Sequence, residues 1–130
     1  MSANEDNISR RVIGCAFAVG NELGAGFLEN VYESALAVEL GKQNIRFEKQ
    51  KALDVYYSGT IVGHYIADLV SDDRLILEVK ARSAVTPTHE AQLMNYLQAT
   101  GITVGLLLNF GTPRLGVKRI VKSYDDSIVI

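Results

Sequence analysis

The segment from Val104 to Phe110 is almost uninterrupted apolar. It lacks the alternation of a half-exposed strand and reads as a strand buried on both faces. Just upstream, Thr86-Pro87 forms a helix start, with threonine as N-cap and proline at the first helical position. That helix is predicted to run to about Thr100, where Gly101 ends it. Before it lie four strand-like segments: Ile45 to Gln50, Leu53 to Tyr57, Ile61 to Val70 and Arg74 to Ala81, with Ser58-Gly59 as a two-residue hairpin turn. The chain opens on two helical patterns. In Asn7 to Leu23, residues Ile8, Val12, Ala16, Val19 and Leu23 recur at three- and four-residue spacing. Gly24-Ala25-Gly26 interrupts, and Phe27 to Lys42 continues with Leu28, Val31, Ala35, Val38 and Glu39 at helical spacing. A short strand around Val117 to Val121 and an apolar tail, Ser127 to Ile130, follow. Two helices, a strand meander, a crossover helix and a central strand predict one α/β domain, residues 1–130, with a mixed sheet flanked by helices.

Composition narrows the setting. The chain has 130 residues, 48% apolar and 22% charged, which suits one globular domain with a proper core. The single cysteine, Cys15, cannot form an internal disulfide and reads as a small buried helix residue. The polar, acidic start from Met1 to Asn7 is unlike a secretory signal, and no apolar run reaches the length of a membrane span. The expectation is a cytoplasmic protein with no membrane partner. A net charge of −2 does not mark a nucleic-acid binder. Its distribution is less neutral: Lys42, Arg46, Lys49 and Lys51 form one basic cluster, and Arg114, Lys118, Arg119 and Lys122 another. Such patches contact phosphates, or are simply solvated faces.

The chemistry concentrates on Asp68 and Glu78-Val79-Lys80. Side chains alternate along a strand, so Glu78 and Lys80 share a face while Leu75, Leu77 and Val79 enter a core. A three-residue connection, Asp72-Asp73-Arg74, sets Asp68 opposite Glu78. Two carboxylates so placed repel. A divalent cation between them turns that cost into a binding site, because hard cations prefer oxygen ligands. Lys80 then lies within reach of a water or a phosphate. A hairpin with an exposed salt bridge from Lys80 to Glu78 or Asp68 is the plainer alternative.

Two helical segments carry further candidates. Glu29 and Glu33 are four apart and project from one face, with Tyr32 beside it. A cation or basic surface would relieve the two like charges, but two solvated glutamates are the plainer reading of this segment alone. On the later helix, Gln92 and Tyr96 share a face and His89 precedes them by one turn. They suit contacts to a base or phosphate. An amphipathic helix with Ala91, Met94 and Leu97 inward and those three residues in solvent is the alternative.

Taken together, Gly26-x-x-Glu29-x-x-Tyr32, Asp68, Glu78-Val79-Lys80, Gln92-x-x-x-Tyr96 and the late strand Gly105 to Gly111 resemble the PD-(D/E)XK nuclease superfamily. Within it the chain is similar to the small proteins named for their GxxExxY motif. The resemblance runs from about Gly20 to Val121, with Ala67 where the signature has a structural proline. It implies a restriction-endonuclease-like core and magnesium or manganese held by Asp68, Glu78 and the main-chain carbonyl of Val79. Glu29, the motif position, or Glu33, one turn on, would complete the site. It also implies Lys80 positioning the attacking water, and Gln92, Tyr96, His89 and Tyr32 near substrate. The expected activity is metal-dependent hydrolysis of DNA, single-stranded or branched forms included, without sequence specificity. Tyr96 would stack on a base. Cutting both strands would take a homodimer or two events; the Ile128-Val129-Ile130 tail either extends a sheet edge across such a dimer or packs on its own domain. The alternative is a silent nuclease-like module that binds nucleic acid or protein.

Overall fold

The protein is described by a computed structural model over residues 3–122. In chain order the elements are α1 (Ala3–Leu23), α2 (Glu29–Lys42), β1 (Phe47–Tyr57), β2 (Thr60–Ser71), β3 (Leu75–Lys80), α3 (Pro87–Thr100), β4 (Val104–Asn109) and β5 (Gly116–Val121). The strands form a five-stranded sheet in the order β1-β2-β3-β4-β5. Only β3 and β4 run parallel, joined by the α3 crossover, so the sheet is mixed. One core packs Val12, Ala16, Tyr32, Leu36 and Leu40 of α1 and α2 against Leu75, Leu77, Val79, Leu106 and Leu108. The other packs Leu93, Tyr96 and Leu97 of α3 against Ile76, Leu107 and Leu53. Every residue of β4 is buried, as its apolar run demands. This is the α/β arrangement with a mixed sheet that the sequence pattern predicts, and it is consistent with the restriction-endonuclease-like core that the resemblance implies. No helix among the described residues is long and apolar enough to cross a membrane.

Local chemistry explains the boundaries. Ser58 and Gly59 have φ of 51° and 77° and close the β1–β2 hairpin between the paired Tyr57 and Thr60. Asp72 and Asp73 take φ of 52° and 54°, a conformation that Asp tolerates better than most residues. The resulting register pairs Ser71 with Leu75 across the expected three-residue connection. Thr86 caps α3 by accepting from the His89 N–H, while His89 Nδ1 accepts from the Thr86 N–H.

Three expectations need correction. Ile45 to Gln50 and Leu53 to Tyr57 are not two strands, because β1 runs through both and absorbs Gln50 at φ 53°. The second helix begins at Glu29 rather than Phe27, with Leu28 as an N-cap that makes no side-chain bond. Its inward face is Tyr32, Glu33, Leu36 and Leu40. Of the stripe through Leu28, Val31, Ala35 and Val38, Leu28 and Val38 face outward at 76% and 63% exposure, Val31 is half-buried, and Ala35 alone packs partly against the core. The reason is that α2 has apolar residues around its whole circumference, so spacing alone cannot choose a face. The bulk of Tyr32, Leu36 and Leu40 against α1 and the sheet decides it. The tail from Ser127 to Ile130, and any dimer built on it, lies outside the described residues.

Candidate active site

The candidate site forms where β2 loses its regular pairing. Pairs between β2 and β3 run from Ser71–Leu75 to Leu69–Leu77 and stop, so Asp68 and Glu78 are the next residues in line. On the other side, Lys49 pairs with Leu69 and Lys51 with Ala67, while Gln50 and Asp68 between them are unpaired. Both ladders therefore open at Asp68. Side-chain alternation is disturbed there too, since Ala67 and Val70 join the α3 core while Leu69 joins the opposite one.

Side chains replace the missing ladder bonds. The Asp68 N–H donates to Glu78 Oε2 at 2.9 Å, and the Val79 N–H donates to Asp68 Oδ2 at 2.8 Å. Each carboxylate thus holds the opposite strand with one oxygen. The other oxygens, Asp68 Oδ1 and Glu78 Oε1, accept no bond from a described residue. They are not sealed away either: Ser9 Oγ is the only fully buried, unpartnered side-chain polar atom among the described residues. Two acceptor oxygens are left open to the solvent side.

Electrostatics match that geometry. Burial above all pushes the Glu78 carboxyl up from its ordinary 4.5 to about 8, with the Asp68 charge next, while the Asp68 N–H and Lys80 oppose the rise. Burial likewise raises Asp68, helped by Glu33 and Glu29 and opposed by the Val79 N–H and Lys80. Lys80 is the cation both carboxylates sense. A site with two desolvated carboxylates, open oxygens and one ammonium is short of positive charge.

The α2 glutamates lie around this pair in different ways. Glu33 is buried, accepts from Gln50 Nε2, and raises both Asp68 and Glu78. Glu29 influences Asp68 alone of the two; its Oε2 accepts from the Ala81 N–H at 3.3 Å and faces Arg82 Nε at 3.7 Å. Among the described residues no three His, Cys, Asp or Glu side chains form a ready-made metal cage. Magnesium does not require one, because it commonly takes one or two carboxylates and completes its shell with water and phosphate oxygens. The donor set fits such an ion.

The other sequence candidates separate. Tyr96 does meet the site: burial first, then Glu78 and Asp68, raise its hydroxyl. Its ring is only 4% exposed and packs on Tyr65 at a centroid distance of 5.5 Å, so it cannot stack on a base. Nor does Tyr96 face solvent, since α3 buries Leu93, Tyr96 and Leu97 while Ala91 is exposed. His89 lies near Lys80 and Arg82, which with burial as the larger cause lower its imidazole. Gln92 is exposed.

Tyr32 belongs to the core. It is fully buried, stacks on Phe110 at 4.7 Å, and its hydroxyl donates to the Gly24 carbonyl and accepts from the Phe27 N–H. The tyrosine of Gly26-x-x-Glu29-x-x-Tyr32 therefore ties down the α1–α2 loop and so aims Glu29 and Glu33. The reason is rotational: one turn beyond Glu29, position 32 points into the core.

Gln50 was absent from the sequence reading. Its left-handed φ of 53° is a strained state for a residue with a side chain, and it brings the amide onto Glu33. Neighbouring Lys49 also reaches α2, donating to Ser34 Oγ at 3.0 Å, which is incompatible with regular alternation. Asn109 is the second omission. Its side chain accepts from the Arg82 N–H and donates to the Arg82 carbonyl, both at 3.0 Å. Only a buried, fully polar asparagine within the apolar late strand signalled such a clamp. Gly111 completes it, because a Cβ there would lie 2.2 Å from the Arg82 nitrogen.

Three of the four residues of the first basic cluster and Lys118 of the second form ion pairs. Arg46 meets Asp72 and Asp73, Lys51 meets Glu48 and Asp73, Lys42 meets Glu39, and Lys118 meets Glu90. Asp72 and Asp73 come from the distant β2–β3 turn and Glu90 from α3, whereas Glu39 and Glu48 are local partners three residues away.

A family model described as the PD-(D/E)XK nuclease superfamily matches residues 6–120. The crystal structure of SSO0001 resembles the chain with a TM-score of 0.57 at 20% identity, over 75% of this chain and 52% of that one. The chain thus spans about half the length of that structure, and at such identity the likeness concerns the fold. No curated protein matches.

Proposed function

The chain belongs to the PD-(D/E)XK nuclease superfamily, and from that premise we propose that it hydrolyses DNA phosphodiester bonds with a divalent cation and without sequence specificity of its own. The observation that carries the reading is the reciprocal clasp of buried Glu78 and half-buried Asp68, both carboxyls raised by burial and each with an open oxygen. Magnesium or manganese, held by Asp68 and Glu78 with the Val79 carbonyl, and by Glu33 or Glu29 directly or through water, would supply charge neutralisation at the scissile phosphate. Lys80 orients the attacking water and offsets negative charge developing on the phosphate oxygens. The Asp68 and Val79 N–H groups keep the carboxylates in place, so no reorganisation is needed as the reaction proceeds. Tyr96 closes the α3 side of the site, and His89 and Gln92 border it. One site cuts one strand; duplex cleavage needs two events or two copies.

The alternative is a catalytically silent module that binds nucleic acid or protein. Calorimetric titration with magnesium and with manganese separates the two. The wild type should bind, and Asp68→Ala with Glu78→Ala should not. A wild type that binds neither metal would overturn the catalytic reading. Where metal binds, cleavage of labelled single-stranded, duplex and branched DNA should depend on Lys80 and Glu78; activity surviving both Lys80→Ala and Glu78→Ala would move the site elsewhere.

A further inference from the structure

We infer that the groove between the β1–β2 hairpin and α3 is a subsite for one unpaired nucleobase, so that the substrate carries an unpaired stretch next to the scissile bond. The inference rests on the nuclease reading for its context and names the substrate class of that same site.

The groove has a volume of about 420 Å³, within the range of about 300–1,000 Å³ typical of small-ligand sites. Its aromatic walls are Tyr56 and Tyr65, exposed to 62% and 43%. Across from them α3 presents the side-chain amides of Asn95 and Gln98, both exposed. An amide offers a donor and an acceptor together, the complement of a base edge. No charged side chain lines the groove. That excludes a phosphate as its occupant and suits a neutral, flat, hydrogen-bonding ring.

The hairpin is built to leave this space open. Gly63 lies in the floor opposite Val55, where a Cβ would sit 3.8 Å from the Val55 side chain, so any larger group would rise into the groove. The register slips between Val55 and Tyr56, where β2 carries Val62 as an extra residue, and Val62, Gly63 and Tyr56 all line the groove. The groove adjoins the candidate active site across a single ring contact. Tyr65 packs on Tyr96, and the Tyr96 hydroxyl senses Glu78 and Asp68. A base on Tyr65 is thus separated from the carboxylates by one tyrosine. In a duplex the bases are paired and stacked inward, so only an unpaired or extruded base can enter.

The test is fluorescence anisotropy with the full chain in calcium, using labelled oligothymidylate, an abasic oligomer of the same length, and a blunt duplex. Oligothymidylate should bind about tenfold or more tightly than the abasic strand and more tightly than the duplex. Tyr56→Ala and Tyr65→Ala should each weaken oligothymidylate binding by about 5- to 100-fold and leave abasic binding unchanged. Tyr65→Phe should retain binding, because stacking needs the ring and not the hydroxyl. Since Tyr65 supports Tyr96, Gly63→Leu on the open floor and Tyr56→Ala on an exposed ring keep the test independent of that contact; both should lose the base preference at unchanged thermal stability. Equal binding of abasic and base-bearing strands, or no oligonucleotide binding, overturns the subsite. Cleavage in magnesium is read separately. Cleavage without base preference would remove the subsite and keep the nuclease; base-selective binding without metal affinity or cleavage would do the reverse.

Discussion

Replacing Glu78 by glutamine should make the metal-free protein more stable, and more so as pH rises. Folding favours protonated Glu78, which titrates near 8 in the folded chain against an ordinary 4.5. Between those values the folded protein binds the extra proton, so stability falls as pH rises through that window. The gap between 4.5 and about 8, at about 1.4 kcal/mol per pH unit, amounts to about 5 kcal/mol. That rivals the whole stability of a small domain, and no discount for solvent screening applies because Glu78 is 4% exposed. Asp68, also raised, acts in the same direction. His89 is lowered from 6.5 and opposes the trend only below that pH, and Cys15 is raised from 9.0, so pH 6.5–8.5 isolates the carboxylates. Glutamine keeps an oxygen for the Asp68 N–H and never ionises. In urea unfolding with chelator, Glu78→Gln should exceed the wild type by about 2–5 kcal/mol at pH 8.5, with the advantage about 2 kcal/mol smaller at pH 6.5. Saturating magnesium should narrow the difference by stabilising the wild type alone, by about 2.7 kcal/mol at a hundredfold excess over Kd. A wild type whose metal-free stability is flat or rises over this range, or a glutamine variant no more stable at pH 8.5, would refute the reasoning.

Other substitutions probe the surrounding frame. Tyr32→Phe keeps the Phe110 stack but removes the hydroxyl bonds to Gly24 and Phe27; it should cost about 1–3 kcal/mol in thermal unfolding and leave oligonucleotide affinity unchanged, whereas a pure affinity loss would return Tyr32 to the substrate. Gly111→Ala drives a Cβ into the Arg82 backbone and should destabilise by about 3 kcal/mol or more, with cleavage lost alongside; wild-type melting would show that the 81–82 segment yields. Glu33→Gln should weaken magnesium binding more than Glu29→Gln, since Glu33 acts on both carboxylates and Glu29 on Asp68 alone; calorimetry showing the reverse order would assign the metal-proximal role to Glu29.

The parts of the site legible beforehand are those that depend on short-range periodicity. Asp68, Glu78 and Lys80 could be brought together because strand alternation and one tight turn are local rules. Thr86-Pro87, Ser58-Gly59 and Gly101 marked their boundaries for the same reason. Tyr32 shows where that logic stops, because motif membership says nothing about whether a side chain points to solvent or core. Gln50 shows it again: its left-handed backbone is imposed by α2 packing across a strand, and no neighbouring residue announces it. Tyr96 combines both lessons, being near the carboxylates as its spacing suggested yet too buried to stack.

By itself, the sequence determined the α/β class, the buried late strand, the turn that aligns two carboxylates, and the lysine on their face. These follow from hydrogen-bond geometry and hydrophobic periodicity, which act within a few residues. Only the tertiary structure decided which face of α2 turns inward, which acids neutralise Arg46 and Lys51, and how Asp68 and Glu78 grip each other's strands. Those outcomes are set by volume, desolvation and charge among residues far apart in the chain. It is there that a like-charged pair becomes a centre short of one cation.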